Sequence, residues 1–334
     1  MSSSSDLSRR DLLRVLPIAA TLVAASCRRA PYRASDFARP ARSFVGLYDA
    51  PNYDADFADI IGRALHDLGL DARGKSVLLK PNLVEFSPGS AINTHPRVVG
   101  GAATAFLRAG AREVIVGEAP GHRRDIEYLL GSSGLGDELK SLGVPFVDLN
   151  HDDVRVAPLR SQFTTMTDLA LPVTLLQADI IVSMPKLKTH HWAALTASMK
   201  NLFGVVPGAI YGWPKNILHL HGIQNSILDL VATIRPHLSI VDAVVAMEGD
   251  GPIMGSPRAT GFVMMGVDPV AVDATCARLI GFDPARIGYI AQAAAFLGNM
   301  DVSRIDHRGE QPGRYQTRFE VLDQFKGLQL TSGG

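Results

Sequence analysis

Residues 186–200, inside the stretch ADIIVSMPKLKTHHWAALTASMKNLFGVVPG, hold Lys186, Lys188, His190, His191 and Lys200. Ammonium groups at this density suit a carboxylate, phosphate or sulfonate, and a desolvated lysine can also act as a base or form an imine. An imidazole beside them can transfer a proton near neutral pH. The cluster begins where the apolar run Ile180-Ile181-Val182 meets Pro185. Such a run predicts a strand buried on both faces, and ligands of open parallel sheets bind at the carboxyl ends of such strands.

Three more apolar runs end the same way. Val77-Leu78-Leu79 leads into Lys80-Pro81-Asn82, Val114-Ile115-Val116 into Gly117-Glu118, and Ile240-Val241 into Asp242. If the four strands are parallel neighbours, these side chains converge on one sheet edge. Lys80 and Lys186 each adjoin a proline, which stiffens the turn presenting the ammonium. The expected chemistry is anion binding by Lys80, Lys186 and Lys188, with His190 or His219 moving a proton. Asp242, Glu248 and Asp250 would orient that base or hold a cation, Glu248 and Asp250 lying in the glycine-rich loop 247–255. Asp268 and Asp273 are weaker members of that set. Asp268 precedes a proline as a helix cap would, and Asp273 falls in the first helical turn, where the dipole favours a negative charge.

His190 and His191 are adjacent, so in a strand they point to opposite faces. His219 and His221 would share one side of an extended segment. A divalent metal on His219 and His190 is a further expectation, although no HxxxH or HExxH spacing accompanies it. No GxGxxG follows a strand, and neither GxxxxGK[ST] nor GxSxG occurs, so nucleotide binding and serine-hydrolase chemistry lack their marks. After Cys27 the only cysteine is Cys276. The body after Cys27 thus offers no internal disulfide and no iron-sulfur cluster from its own cysteines. Cys276 itself reads as a packing residue on an apolar helix face.

The elements that must position these groups alternate along the chain. Strand-like runs at 43–48, 76–79 and 113–116 are followed by helical runs at 55–68, 97–108 and 125–131. Further strands are expected at 146–149, 179–183, 238–241 and 261–265, and helices at 222–235, 270–280 and 285–297, the last two opened by Asp268-Pro269 and Asp283-Pro284. This rhythm predicts an α/β fold of three layers, a largely parallel sheet with helices on both faces.

Composition bounds the rest. Of 334 residues, 46% are hydrophobic, and 33 Lys plus Arg balance 33 Asp plus Glu. The body can bury a core, and no global basic field points to nucleic acid. Ser8-Arg9-Arg10-Asp11-Leu12-Leu13 and the apolar run 15–25 resemble a twin-arginine export signal, with Cys27 placed for lipid attachment. The expected organisation is a signal over 1–27, a linker over 28–43 and a single α/β domain over 44–325. Export to the periplasm or the outer face of the cell membrane follows, with membrane contact through a lipid or signal anchor.

The motifs VLLKPNLV with His95-Pro96, GAREVIVGE, ADIIVSMPKLKTHHWAALTASMKNLFG, GWPKNILHLHGIQNSILDL, SIVDAVVAMEGDGPIMGSP and VDPVAVDA resemble those of the domain of unknown function 362 family. The resemblance spans about residues 44–298. It implies a compact α/β domain, sometimes fused to ferredoxin-type modules in other members, whose cysteines this chain lacks. A redox or envelope partner would have to supply any cluster. By position the motif residues here are Lys80, Asn82, Glu118, Lys186, Lys188, His190, Lys200, Asn201, His219, Asp242, Glu248, Gly251, Pro252, Asp268 and Asp273. The expected catalytic set is Lys186, His190, Lys200 and His219, and the expected ligand-binding set is Lys80, Asn82, His95, Glu118, Lys188 and Asn201. The order His95, His190, Lys200, His219 is also similar to that of the nickel-pincer lactate racemase group, without that group's acidic-arginine motif. An enzyme or cofactor-binding protein acting on a small anionic ligand, a non-catalytic binding lipoprotein and a lactate-racemase-like isomerase all stay open, with the cofactor unnamed.

Overall fold

Strand residues of the central sheet alternate between two cores. Val77 and Leu79 pack into one buried cluster with Ile180 and Val182, while Leu78 and Ile181 pack into the other. A strand covered on both faces carries apolar side chains at odd and even positions alike, and so reads as a continuous apolar run. The computed structural model describes residues 30–121 and 125–330. The expected export signal and Cys27 lie outside the described residues.

The strands in chain order are β1 (Ser43–Asp49), β2 (Ser76–Pro81), β3 (Glu113–Glu118) and β4 (Phe146–Asp148). Next come β5 (Val154–Pro158), β6 (Asp168–Pro172), β7 (Ile180–Met184) and β8 (Lys186–His190). The last are β9 (Ala194–Thr196), β10 (Leu238–Glu248), β11 (Ser256–Gly266) and β12 (Ile305–Gly309). The large sheet runs β12-β1-β11-β10-β7-β2-β3-β4, with β8 on β10 and β9 on β8; β5 and β6 form a separate hairpin. Pairing is parallel across β10, β7, β2, β3 and β4, and antiparallel at β1–β11, β10–β11 and β8–β9. The four runs that end in Lys80, Glu118, Pro185-Lys186 and Asp242 are therefore adjacent, with Leu79 level with both Val116 and Val182.

Helices Phe57–Asp67, Pro96–Arg108 and Leu135–Leu142 cover one face through Phe57, Ile61, Val99, Phe106 and Leu139. Helices Ile223–Ile234, Pro269–Leu279 and Gly288–Ala293 cover the other through Ile227, Leu230, Val272, Cys276 and Ile290. The protein is a three-layer α/β fold with a largely parallel sheet, as the alternation of runs predicts.

Three local expectations are corrected. The helix expected over 285–297 is a short turn, Pro284–Arg286, and then Gly288–Ala293. Asp283 does accept from Ala285 N, but Ile287 turns extended and buries its side chain, which breaks the helix. The segment around His219 is helical (Asn216–Leu220) rather than extended, so His219 and His221 do not share a side by alternation. Glu248 closes β10 instead of sitting in the following turn.

Asp268 caps Val270 N and Ala271 N, and also accepts from Ser43 Oγ and Asn299 N. Asp273, wholly buried, reaches across to the short helix Ser198–Asn201 and accepts from Ser198 N at 2.7 Å and Met199 N at 3.2 Å. A tertiary carboxylate thus satisfies the amides that a four-residue helix leaves unpaired. Asp273→Ala removes both acceptors and is expected to cost about 1–3 kcal/mol, read as a lower denaturant midpoint. A loss below about 0.5 kcal/mol, the size of an ordinary surface change, contradicts this anchoring role.

Candidate functional site

Only three of the eight lysines, Lys75, Lys140 and Lys326, are exposed. The other five lie at the carboxyl edge of β2, β7 and β10 or on segments packed over it. Two of them are neutralised within the protein. Lys80 Nζ meets Glu118 Oε2 at 2.6 Å, Asn201 Oδ1 at 2.9 Å and Pro81 O at 2.9 Å. Asn201 returns its amide to Lys80 O and Ser183 Oγ, while Glu118 also accepts from Leu83 N and Ala119 N. Burial pushes Lys80 down and Glu118 up from their ordinary values, each opposed by the charge of the other.

Lys186 Nζ meets Asp242 Oδ2 at 2.5 Å and Tyr53 Oη at 2.7 Å, and the Tyr53 hydroxyl donates to Asp242 Oδ1 at 3.1 Å. Burial raises the Tyr53 phenol and, against Asp242, lowers Lys186. The His95 ring stacks on Tyr53 at 3.6 Å, and its Nδ1 accepts from Arg97 N as a helix cap. Burial holds His95 down at about 4. This second network stands apart from the cavity described next, so Lys186, Asp242 and His95 are not among its walls.

The cavity is about 580 Å³, and Lys188, Lys200 and Lys215 reach it from three segments. Lys188 is presented by β8, where alternation sets Lys186, Lys188 and His190 on one side of the strand. Its Nζ donates to Ile92 O at 2.8 Å and Pro252 O at 3.3 Å. Lys215 Nζ donates to Val206 O, and its backbone takes a left-handed φ of 68°. Lys200 Nζ lies 3.9 Å from the centre of the Phe203 ring. Among the described residues, no carboxylate forms an ion pair with any of these three. Burial holds Lys188 well below its ordinary value, helped by Lys200, Lys186 and Lys80. Lys200 falls to about 7 through burial and the Lys80 charge, and Lys215 to about 7 through burial against the pull of Glu118.

Two histidines face the same space in opposite tautomers. Trp192 N and Ala193 N both donate to His190 Nδ1, at 3.0 and 3.2 Å, which places the ring proton on Nε2. His190 is buried and held well below its ordinary value, so it is a neutral Nε2–H donor. His219 has the reverse arrangement. Its Nδ1 lies 3.2 Å from Lys215 O, a carbonyl that can only accept, which leaves Nε2 as the lone-pair nitrogen. Burial lowers His219 as well, so it is a neutral base at pH 7. Of the two, His219 is the one whose free ring nitrogen can accept a proton.

Trp192, Phe203, Ile253 and Met254 supply an apolar wall, Trp192 and Met254 being exposed at the mouth. Asn82 Oδ1 and Thr196 Oγ1, on buried lining residues, have no hydrogen-bond partner among the described residues. Asp250 lies on the rim, 3.4 Å from His191 Nδ1. Glu248 turns away to Arg258 and Glu320 N. With Asp242 on Lys186, and Asp268 and Asp273 on helix amides, the five acidic candidates are dispersed. Among the described residues no group of three or more His, Cys, Asp or Glu side chains could hold a metal ion.

Lys215, Thr196, Trp192, Phe203 and Tyr53 are absent from the residues singled out by the sequence. For Lys215 a signal exists: Pro214-Lys215 repeats the Pro185-Lys186 pairing.

The profile described as Domain of unknown function (DUF362) matches residues 77–278. A thylakoid-associated protein of Synechocystis sp. is 31% identical over 227 residues, 65% of this chain and 67% of that protein. Among solved structures, the lactate racemase apoprotein of Thermoanaerobacterium thermosaccharolyticum gives a TM-score of 0.38 at 15% identity, covering 67% of this chain and 56% of that one. A structural-genomics protein of Thermotoga maritima gives 0.36 at 14% identity, with 69% and 59% covered. The chain spans less than two thirds of either solved structure, and at these scores neither carries a site or an activity across.

The buried ion pair under the cavity has two exposed weaknesses. A Cβ at Gly204 would fall on Glu118 Oε1 and Lys80 Nζ, so the backbone there passes too close for any side chain. Glu118→Gln leaves an uncompensated buried ammonium and is expected to cost about 3–5 kcal/mol in denaturant unfolding. Gly204→Ala, by overpacking the same pair, is expected to cost about 1–3 kcal/mol. Stability unchanged in both would show that the pair carries none of the local fold.

Proposed function

The chain belongs to the domain of unknown function 362 family, and from that premise we propose that its cavity binds a small anion joined to an apolar or aromatic body, and that it acts on this ligand as an enzyme. One observation carries the reading. Three ammonium groups, Lys188, Lys200 and Lys215, meet in one cavity with no carboxylate partner among the described residues. Buried unpaired charge is costly, and an anion supplies what the protein withholds. Lys188 and Lys215 hold the anionic group, His190 adds a neutral Nε2–H donor, and Asn82 and Thr196 complete its polar contacts. Trp192, Phe203, Ile253 and Met254 take the apolar body. His219 Nε2 is the base. Lys80 with Glu118 and Lys186 with Asp242 form the rigid floor and flank.

The N-terminal twin-arginine-like sequence supports export, with Cys27 or the signal as membrane anchor, and the thylakoid association of the Synechocystis relative accords with work beside a membrane. Among the described residues no helix is long and apolar enough to cross a bilayer.

Pyridoxine 5′-phosphate, a phosphate on a flat ring, is a suitable probe, and Trp192 in the wall lets intrinsic fluorescence report it. Lys188→Gln is expected to weaken binding about tenfold or more, as loss of a charge-assisted contact does. Lys186→Met is expected to lower stability while leaving affinity within about threefold, because its ammonium serves Asp242 and Tyr53. The sign with pH follows from the depressed lysines. Anion binding favours the charged forms of Lys200 and Lys215, which titrate at about 7 in the free protein. Affinity is thus greatest below 7 and falls as pH rises, by about tenfold or more between pH 6.5 and 9. The probe's phosphate, with its second pKa at about 6, changes little over that range. A flat profile, or equal losses from both variants, contradicts the proposal.

A further inference from the structure

Lys200 differs from the two lysines beside it. Lys188 and Lys215 each donate to a backbone carbonyl, whereas among the described residues Lys200 Nζ has no hydrogen-bond acceptor and rests against the Phe203 ring. Its backbone is fixed on both sides. Asp273 holds Ser198 N and Met199 N, and Asn201 is tied to Lys80 and Ser183. The side chain therefore enters the cavity from a rigid base, with its terminal nitrogen uncommitted.

We propose that Lys200 is a nucleophile that forms an imine with an aldehyde or ketone carrying the anionic group, a deepening that rests on the anion-binding reading above. Lys188 and Lys215 would hold the anion while the carbonyl carbon lies against Lys200 Nζ. The neighbouring Lys80 charge and the loss of solvent supply the neutral amine that attack requires, since only the unprotonated nitrogen has a lone pair to give. That lone pair forms the C–N bond and the carbonyl π electrons move to oxygen. The two amine protons then pass to that oxygen, with His219 Nε2 as the carrier, and it leaves as water while C=N forms. No oxidant or reductant is consumed. His219 is close enough that the Lys200 charge depresses it.

Two phosphates that differ only in the carbonyl separate this step from binding. Wild-type protein is treated with one equivalent of pyridoxal 5′-phosphate and sodium cyanoborohydride, and the labelled lysine is found by peptide mass mapping. Labelling of Lys200 about tenfold or more above the exposed Lys75, Lys140 and Lys326 is expected for a desolvated amine. Lys200→Arg is expected to abolish the mapped label, since a guanidinium keeps the charge but has no free amine to form the imine. Circular dichroism melts establish that this variant is folded, and the wild-type map needs no variant. Label spread evenly over the exposed lysines, with pyridoxine 5′-phosphate still bound, overturns the imine and leaves the anion site standing. Label on Lys200 without pyridoxine 5′-phosphate binding supports the imine and removes the anion site. Neither label nor binding removes both.

Discussion

Five lysine side chains share one end of this sheet with two committed carboxylates, and the charge left over is the constraint that the remaining structure answers. Two unit charges 4 Å apart interact by about 4 kcal/mol at the effective dielectric typical of proteins, so an unpaired cluster is expensive. Lys80 and Lys186 are answered by Glu118, at the end of β3, and Asp242, midway along β10. Among the described residues, Lys188, Lys200 and Lys215 are answered by carbonyls, a ring face and a shift toward the neutral amine, without an ion pair. A fold that minimised its own energy would have mutated these three or matched them. Their meeting in one cavity is the physical ground for the proposed ligand.

The scaffold around them is correspondingly rigid. β8 continues directly from β7 after Pro185 and pairs with β10 across a register shift, so Lys188 and His190 project from a strand rather than from a loop. The short helix bearing Lys200 gets its amide acceptors from Asp273 on another helix, and the Lys80–Glu118 pair is shielded by the bare backbone at Gly204. The histidines are fixed in opposite tautomers by main-chain partners alone. That division gives one side of the cavity a donor and the other an acceptor, the pairing that proton transfer requires.

What could be read in the sequence follows from what each residue's neighbours demand. The strands at VLL, VIV, IIV and IVD announce themselves because burial on both faces leaves no polar position, and their adjacency brings Lys80, Glu118, Lys186 and Asp242 to one edge. β8 was hidden for the opposite reason. Its Lys-Leu-Lys-Thr-His alternation reads as a polar turn, and only tertiary covering makes it a buried strand. Asp273 looked like a dipole-compensating residue of its own helix, whereas its hydrogen bonds go to a segment 75 residues away. Lys186 carried the greatest weight in the sequence because of Pro185, yet it is the lysine already paired. Which lysine has a carboxylate and which does not is a property of packing, and no spacing encodes it.

The most direct test follows the lysines themselves. Eight lysines labelled at Cε give a spectrum simple enough to assign by substitution and titrate by NMR, with and without pyridoxine 5′-phosphate. The account predicts that in the free protein Lys200 and Lys215 titrate at about 7 and Lys188 well below its ordinary range, and that the probe moves all three upward while Lys75, Lys140 and Lys326 stay put. Eight lysines that all titrate near the ordinary value of about 10.4, unmoved by the probe, would contradict it.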